Sequence, residues 1–223
     1  MLILAFDAST SVVTVAVARA EGDAREVLAE VSSARGASES LLPAVDAALR
    51  LVGESPASVQ RILVGVGPGT FTGIRVAAAT ARSLSLATGA ALAKGSTLAA
   101  IAAPALSGGH PDVLAVIDAR RGQVFAQRFS ESGPTSGIYC ERPEELPAKG
   151  APLLVGDGAV RYREALSSSG YVPRDDSPAH RVTAAGHVLY ADLAPVRAEE
   201  LVPIYVREPD AEVRRELNPW SRP

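Results

Sequence analysis

Cysteine is nearly absent from these 223 residues. Cys140 stands alone, which excludes an internal disulfide and fits a reducing compartment, here read as the cytoplasm. The three histidines, His110, His180 and His187, form no His-x-x-x-His pair, and no second cysteine supports them, so no metal site is expected. Lysine is confined to Lys94 and Lys149; the other basic residues are arginines scattered along the chain, adjacent only at Arg120-Arg121 and Arg214-Arg215. A net charge of −3 argues against gripping nucleic acid alone, because phosphate neutralisation needs a positive surface. Aromatics make up only 4%, so the core must be built from Ala, Val and Leu. No apolar run approaches the length of a membrane span, and no membrane partner is expected. Met1–Asp7 lacks a basic start and meets a charge after five apolar residues, so it reads as a first strand and not a signal peptide. No Gly-x-Ser-x-Gly elbow offers a nucleophile.

With 47% apolar and 21% charged residues, the chain is composed like a soluble α/β protein, long enough for one large domain or two small ones. Leu2–Asp7, Val12–Ala18 and Ala24–Ser32 read as strands around a turn at Ala8–Ser11. Ser38 is the expected N-cap of a helix through Leu51, with Leu41, Leu42, Val45, Ala48, Leu49 and Val52 at helical spacing and Pro43 in or near its first turns. Ile62–Val66 is a buried strand, followed by a helix from Thr72 to Ala87 and another over Thr97–Leu106. After the break at Ser107–Pro111 the pattern restarts with a strand over Val113–Asp118. Helices are expected at Ala159–Ser168 and Thr183–Leu193, a short strand at Val202–Val206, and a frayed tail from Glu208 to Pro223.

Two echoes suggest a duplicated βββαβα unit, against the alternative of chance similarity between α/β segments. Aligning Asp7 with Asp118 sets Ala8 on Ala119 and Val13 on Val124; Leu153-Leu-Val-Gly-Asp-Gly158 repeats Val64-Gly-Val-Gly-Pro-Gly69. The lobes are expected to divide into residues 1–106 and 107–223, facing each other across a cleft.

The most informative segment is Gly67-Pro68-Gly69-Thr70-Phe71-Thr72-Gly73-Ile74-Arg75, a glycine-rich loop leaving a strand and opening a helix. Such a loop presents backbone N–H groups to an anion. Yet no lysine follows as in a P-loop, and the glycine spacing is not G-x-G-x-x-G, which leaves a tight strand-to-helix turn as the preferred reading beside a phosphate site. The turn after Asp7, Asp7-Ala-Ser-Thr-Ser11, has hydroxyls but no glycine, and the turn after Asp118, Asp118-Ala-Arg-Arg-Gly122, places two bulky arginines where a phosphate would need space. Each Asp is read as capping its own turn. The chain has a catalytic fold without a catalytic set: no catalytic, cofactor or metal residue is assigned.

These segments resemble the TsaB (YeaZ) family over most of the chain. The resemblance is carried by Asp7-Ala-Ser-Thr, Ser38-Glu-Ser-Leu-Leu-Pro43, the Gly67–Arg75 segment, Asp118-Ala-Arg-Arg-Gly-Gln-Val-Phe125, Val155-Gly-Asp-Gly158 and Pro203-Ile-Tyr-Val-Arg207. Thr70 stands where the family usually has Ser, and Ala37 where relatives often have His. The resemblance implies a two-lobed α/β fold of the acetate kinase/Hsp70/actin type, each lobe a mixed sheet with flanking helices. It also implies a non-catalytic subunit that pairs with TsaD, the paralogue that carries the metal and transfers threonylcarbamoyl to the adenosine following the anticodon. The ATPase TsaE would join them, tRNA would be met only through the complex, and peptidase activity is not expected. The competing reading is an active ATP-dependent phosphotransferase of the same fold, against which Arg120-Arg121 stands. The resemblance further implies pairing, or homodimerisation of the isolated chain, through the first-lobe helices. The stripe Ile74, Ala77, Ala78, Ala81, Leu84 and Ser85, with Leu41, Val45 and Leu49, is the expected surface, although spacing alone favours the chain's own core.

Overall fold

The computed structural model describes residues 1–147 and 150–207; the tail expected from Glu208 lies outside them. Two five-stranded sheets repeat one wiring. In the first, β1 (Leu2–Asp7) pairs antiparallel with β2 (Val13–Glu21), which pairs antiparallel with β3 (Ala24–Ser33); on the other side β1 runs parallel to β4 (Arg61–Gly65), and β4 parallel to β5 (Ala91–Gly95). In the second, β6 (Val113–Arg120) pairs antiparallel with β7 (Gln123–Ser130) and parallel with β10 (Leu153–Val155). The short β8 (Gly133–Pro134) and β9 (Tyr139–Glu141) both lie on β7, where β3 lies on β2. A single parallel bridge from Leu153 to Tyr171 stands where β5 stands in the first sheet. The echo of Asp7 in Asp118 is therefore a structural repeat, but the register corrects the alignment. Asp7 lies opposite Thr14 and Asp118 opposite Val124, so Val124 answers to Thr14 and not to Val13.

Both sheets are covered on both faces, so their central strands are apolar throughout and not alternating. Every residue of β1 is buried. One face of the first sheet carries Leu4, Phe6, Val15 and Val64 under α1 (Ala37–Leu51) and α2 (Phe71–Thr88). The other carries Ile3, Ala5, Ala16 and Ala18 under α5 (Ala184–Tyr190). The helices have exchanged sheets: α3 (Thr97–Ser107) packs on the second sheet against Ala115 and Ile117. α5, from the far end of the chain, packs on the first. The second sheet's remaining face is closed by Ala159 of α4 (Asp157–Arg161) and by Leu146 and Leu166.

A β-bulge lets the first sheet hold α5 at both ends. The pairing slips between Val17 and Ala18, leaving Leu28 as the extra residue, so Arg25 and Glu30 face the same side despite their odd separation. Glu30 Oε1 accepts from the N–H groups of Ala184 (2.7 Å) and Ala185 (3.2 Å), at the helix start. Arg25 Nη1 donates to the carbonyls of Val188 and Ala191, both at 2.7 Å, at its end. Each charge has the sign the helix dipole favours there.

Several local expectations need correction. α1 begins at Ala37 with Gly36 as N-cap; the Ser38 side chain does not cap it, and Ser40 Oγ donates back to the Gly36 carbonyl (3.0 Å). Leu42, expected on the buried stripe, is 58% exposed. The helix at Ala159–Ser168 shrinks to α4, followed by turns. Val202–Val206 forms no strand: Pro203 lacks a donor, and one bond from Ile204 N–H to the Val66 carbonyl (2.8 Å) holds the segment. β5 was not anticipated, because Ala91-Leu-Ala-Lys-Gly95 has too few β-branched residues to announce a strand. Replacing Glu30 by Ala should lower stability by about 1 kcal/mol, the scale of a lost N-terminal cap. Urea unfolding checks it: the midpoint should fall with the slope unchanged.

Candidate functional site

The first turn and the glycine-rich loop meet at the carboxylate of Asp7, which is fully buried. Its Oδ1 accepts from Ser9 N–H (2.6 Å) and Ser9 Oγ (2.5 Å). Its Oδ2 accepts from Thr97 Oγ1 (2.7 Å) and His187 Nε2 (2.7 Å). Ser9 Oγ and Thr97 Oγ1 also lie 2.8 Å apart, closing the ring of hydroxyls. The partners come from the first turn, from the start of α3 and from the middle of α5. Burial opposes ionisation of Asp7, but the His187 contact and the Ser9 bonds outweigh it and hold the carboxyl below its ordinary range. Because Oδ2 can only accept when ionised, the proton between it and His187 sits on Nε2.

Glycine makes the approach possible. A Cβ on Gly65 would lie 2.0 Å from Asp7 Oδ2, and one on Gly73 would lie 1.8 Å from the Ala8 carbonyl oxygen. Thr70 N–H donates to the Ser9 carbonyl (2.6 Å), and Thr97 N–H to the Gly67 carbonyl (2.8 Å). The glycine-rich segment is thus fastened onto the Asp7 turn, the tight-turn reading of the sequence. Gly67 and Pro68 are buried and Gly69 half-buried, whereas Thr70, Phe71, Thr72 and Arg75 reach the surface.

Asp118 occupies the equivalent position in the second sheet, and it too caps its own turn, Oδ1 accepting from Arg120 N–H (2.9 Å). Here the partners are cations: Arg120 lies 3.3 Å and Arg161 3.6 Å from Oδ2. Arg120 and Arg121 hold positive φ (64° and 57°), a conformation that costs each non-glycine residue roughly 1 kcal/mol. Asp157, beside them, has its carboxyl raised by burial and by the Asp118 charge. Between the glycine-rich loop, the Asp118 turn and residues 204–207 lies a cleft of about 220 Å³, lined by Thr70, Phe71, Asp118, Arg120, Tyr205 and Arg207 among others. Among the described residues no group of three His, Cys, Asp or Glu side chains could hold a metal ion.

The residues expected to form a partner surface need the clearest correction. Leu41, Val45, Leu49, Ile74, Ala77, Ala78 and Ala81 are all buried within this chain, most of them in the core under α1 and α2. Leu84 and Ser85 are half-buried. Helical spacing marks the inward face, and the first sheet has already claimed it. The large apolar side chains that α1 and α2 show to solvent are Leu42, Leu51 (69% exposed), Leu86 (90% exposed) and, at the start of α2, Phe71. The role of His187 was also missed: no local pattern links residues 180 positions apart. The available signal was an aspartate at the end of an apolar strand, which must find a partner when buried.

The family described as TsaD: tRNA N6-adenosine threonylcarbamoyltransferase matches residues 29–146. The tRNA threonylcarbamoyladenosine biosynthesis protein TsaB of Escherichia coli is 30% identical over 75% of this chain and 79% of its own length. The chain belongs to the TsaB (YeaZ) family. An uncharacterized Mycobacterium tuberculosis protein is 32% identical over 94% of this chain and 93% of that one. The structure of YeaZ from Pseudomonas aeruginosa superposes with a TM-score of 0.78 at 24% identity, covering 92% of this chain and 99% of the other. That likeness is one of fold: two mixed sheets with flanking helices. Among the described residues no TsaB-family helix here is long and apolar enough to cross a membrane.

Asp7 carries a pH dependence whose sign follows from its lowered carboxyl. A group that ionises more easily when folded contributes stability above its unfolded value, and that stability is lost as pH falls. Stability should therefore hold above the ordinary carboxylate value of 3.8 and decline below it. Asp7→Asn should cost about 2–3 kcal/mol at neutral pH, because the buried donors of Ser9, Thr97 and His187 lose a charged acceptor, and should flatten the acid limb. Urea midpoints measured from pH 7 to pH 3 check both.

Proposed function

We propose that this chain is a non-catalytic subunit of the assembly that makes N6-threonylcarbamoyladenosine in tRNA, binding TsaD and, with it, TsaE. The observation that carries this reading is the saturation of Asp7. All its bonds are internal and its surroundings are closed, so the strand-end aspartate of the first lobe is spent on folding. Arg120 and Arg121 fill the second turn, where a phosphotransferase would leave space. The curated TsaB name of the Escherichia coli relative supplies the pathway. The sheets of residues 1–106 and 107–223 are taken as the two lobes, with α3 and α5 as the helices that join them. The chain works in the cytoplasm and needs no cofactor of its own.

The partner surface is the outward face of α1 and α2. These helices lie side by side on the first sheet, and leucines left in water there mark a surface meant to be covered. Self-association of the isolated chain would use the same face and compete with TsaD. Leu51→Glu and Leu86→Glu should abolish co-elution with TsaD on size exclusion and lower tRNA modification in the reconstituted system. Their stability should stay within about 0.5 kcal/mol of wild type, because neither side chain is buried. Arginine at Ala78 or Ala81 would be a different experiment, one that breaks the chain's own core. If the isolated chain turns over ATP above background, or binds it stoichiometrically at micromolar levels by calorimetry, the phosphotransferase reading replaces this one.

A further inference from the structure

Aromatic residues are scarce in this chain, yet two of them stand together in water at the cleft between the sheets. Phe71 and Tyr205 keep 38% and 44% of their surface exposed, with ring centroids 5.5 Å apart. The Arg75 guanidinium lies 3.6 Å over the Phe71 ring, and its Nε donates to Tyr205 Oη (3.0 Å). The same cleft is lined by Arg120 and Arg207, and Arg161 reaches its Asp118. Arg120 and Arg161 pair with Asp118, which is itself nearly buried with Asp157 behind it, while Arg75 and Arg207 stand elsewhere about the same mouth. A molecule with net charge −3 has here concentrated positive charge beside exposed rings.

We infer that this cleft mouth, built from Phe71, Arg75, Arg120, Arg161, Tyr205 and Arg207, holds a single-stranded segment of RNA. Flat rings beside guanidinium groups are the means by which proteins hold unpaired nucleotides: bases stack and phosphates are neutralised. The cleft is too small to enclose a nucleotide with its phosphates comfortably, but its open rim can seat one base while the strand continues across the arginines. Only a few phosphate contacts are available, so the chain contributes part of an RNA surface and does not grip RNA alone. The inference rests on the proposed membership in a tRNA-modifying assembly, and it gives this subunit its own contact with the substrate RNA.

The test uses the complex of the full chain with the TsaD of the same organism, titrated against fluorescently labelled unmodified tRNA at several salt concentrations. Arg120→Glu combined with Arg207→Glu should weaken binding about tenfold or more and lower the salt slope by about 2, one unit per lost phosphate contact. Tyr205→Ala should weaken binding about tenfold with the salt slope unchanged, because stacking releases no counterions. Arg161→Gln, on the exposed face of α4, serves if the double reversal lowers the melting temperature, and should reduce the slope by about 1. Arg19→Glu, exposed on β2 away from the cleft, controls for overall charge and should stay within about twofold. Cleft variants within twofold of wild type, or an Arg19 variant as weak as they are, would overturn the inference. So would micromolar competition by ATP, which would mark a nucleotide pocket. If the wild-type chain and TsaD elute separately, it is the functional reading that fails. The same variants titrated on the chain alone at low salt, where a few phosphate contacts suffice for measurable binding, then decide the RNA surface: cleft variants equal to wild type overturn it.

Discussion

The architecture turns on one buried carboxylate. Asp7 ends the central strand of the first sheet where no water reaches it, and an unpaired charge there would be prohibitively costly. Its four acceptor contacts draw in three separate parts of the chain: the turn that follows it, the start of α3 and the middle of α5. Since α3 belongs to the second sheet's core and α5 to the first's, the same carboxylate ties the two halves together. Removing it would loosen the contact between lobes as well as the turn.

The requirement propagates outward through backbone. With Asp7 in place, Gly65 has room for no side chain, and the loop from Gly67 must lie against Ala8 and Ser9. α5 must in turn sit so that His187 reaches inward, and the bulge at Leu28 sets Arg25 and Glu30 to hold its two ends. A seven-residue helix is marginal by itself. Here it is fixed by end charges, by packing on alanines of the sheet and by its histidine. The second sheet shows the contrast: Asp118 sits at the same place in the wiring, but it is answered by arginines at a cleft mouth. The same place in the wiring is a structural anchor in the first sheet and part of a charged surface in the second.

This division bears on function. A fold of this kind can bring two strand-end carboxylates to one cleft, yet here the first is sealed and the second crowded by side chains. What remains accessible is surface: leucines on α1 and α2, and rings with arginines at the cleft. Both suit a subunit that acts by contact with larger partners.

Much of the wiring was legible because it is written locally. Apolar runs ending in Asp, hydrophobic spacing at helical period, and a Gly-Pro-Gly break between strand and helix fixed most elements to within a few residues, and the repeated Asp-Ala turn pointed to the repeated strand wiring. The turn from strand to helix at the glycine-rich loop was also readable, from its Gly-Pro-Gly break. Periodicity, however, reports which face of a helix is apolar and says nothing of what covers it. Leu41, Val45, Ile74 and Ala81 proved to be core, and only tertiary packing left Leu51 and Leu86 outside. The pairing of Asp7 with His187, the exchange of α3 and α5 between sheets, and the gathering of Phe71, Arg120 and Tyr205 at one mouth join positions far apart in sequence. No local pattern specifies such meetings: they follow from the closure of two sheets upon shared helices, which the chain decides only once it has folded.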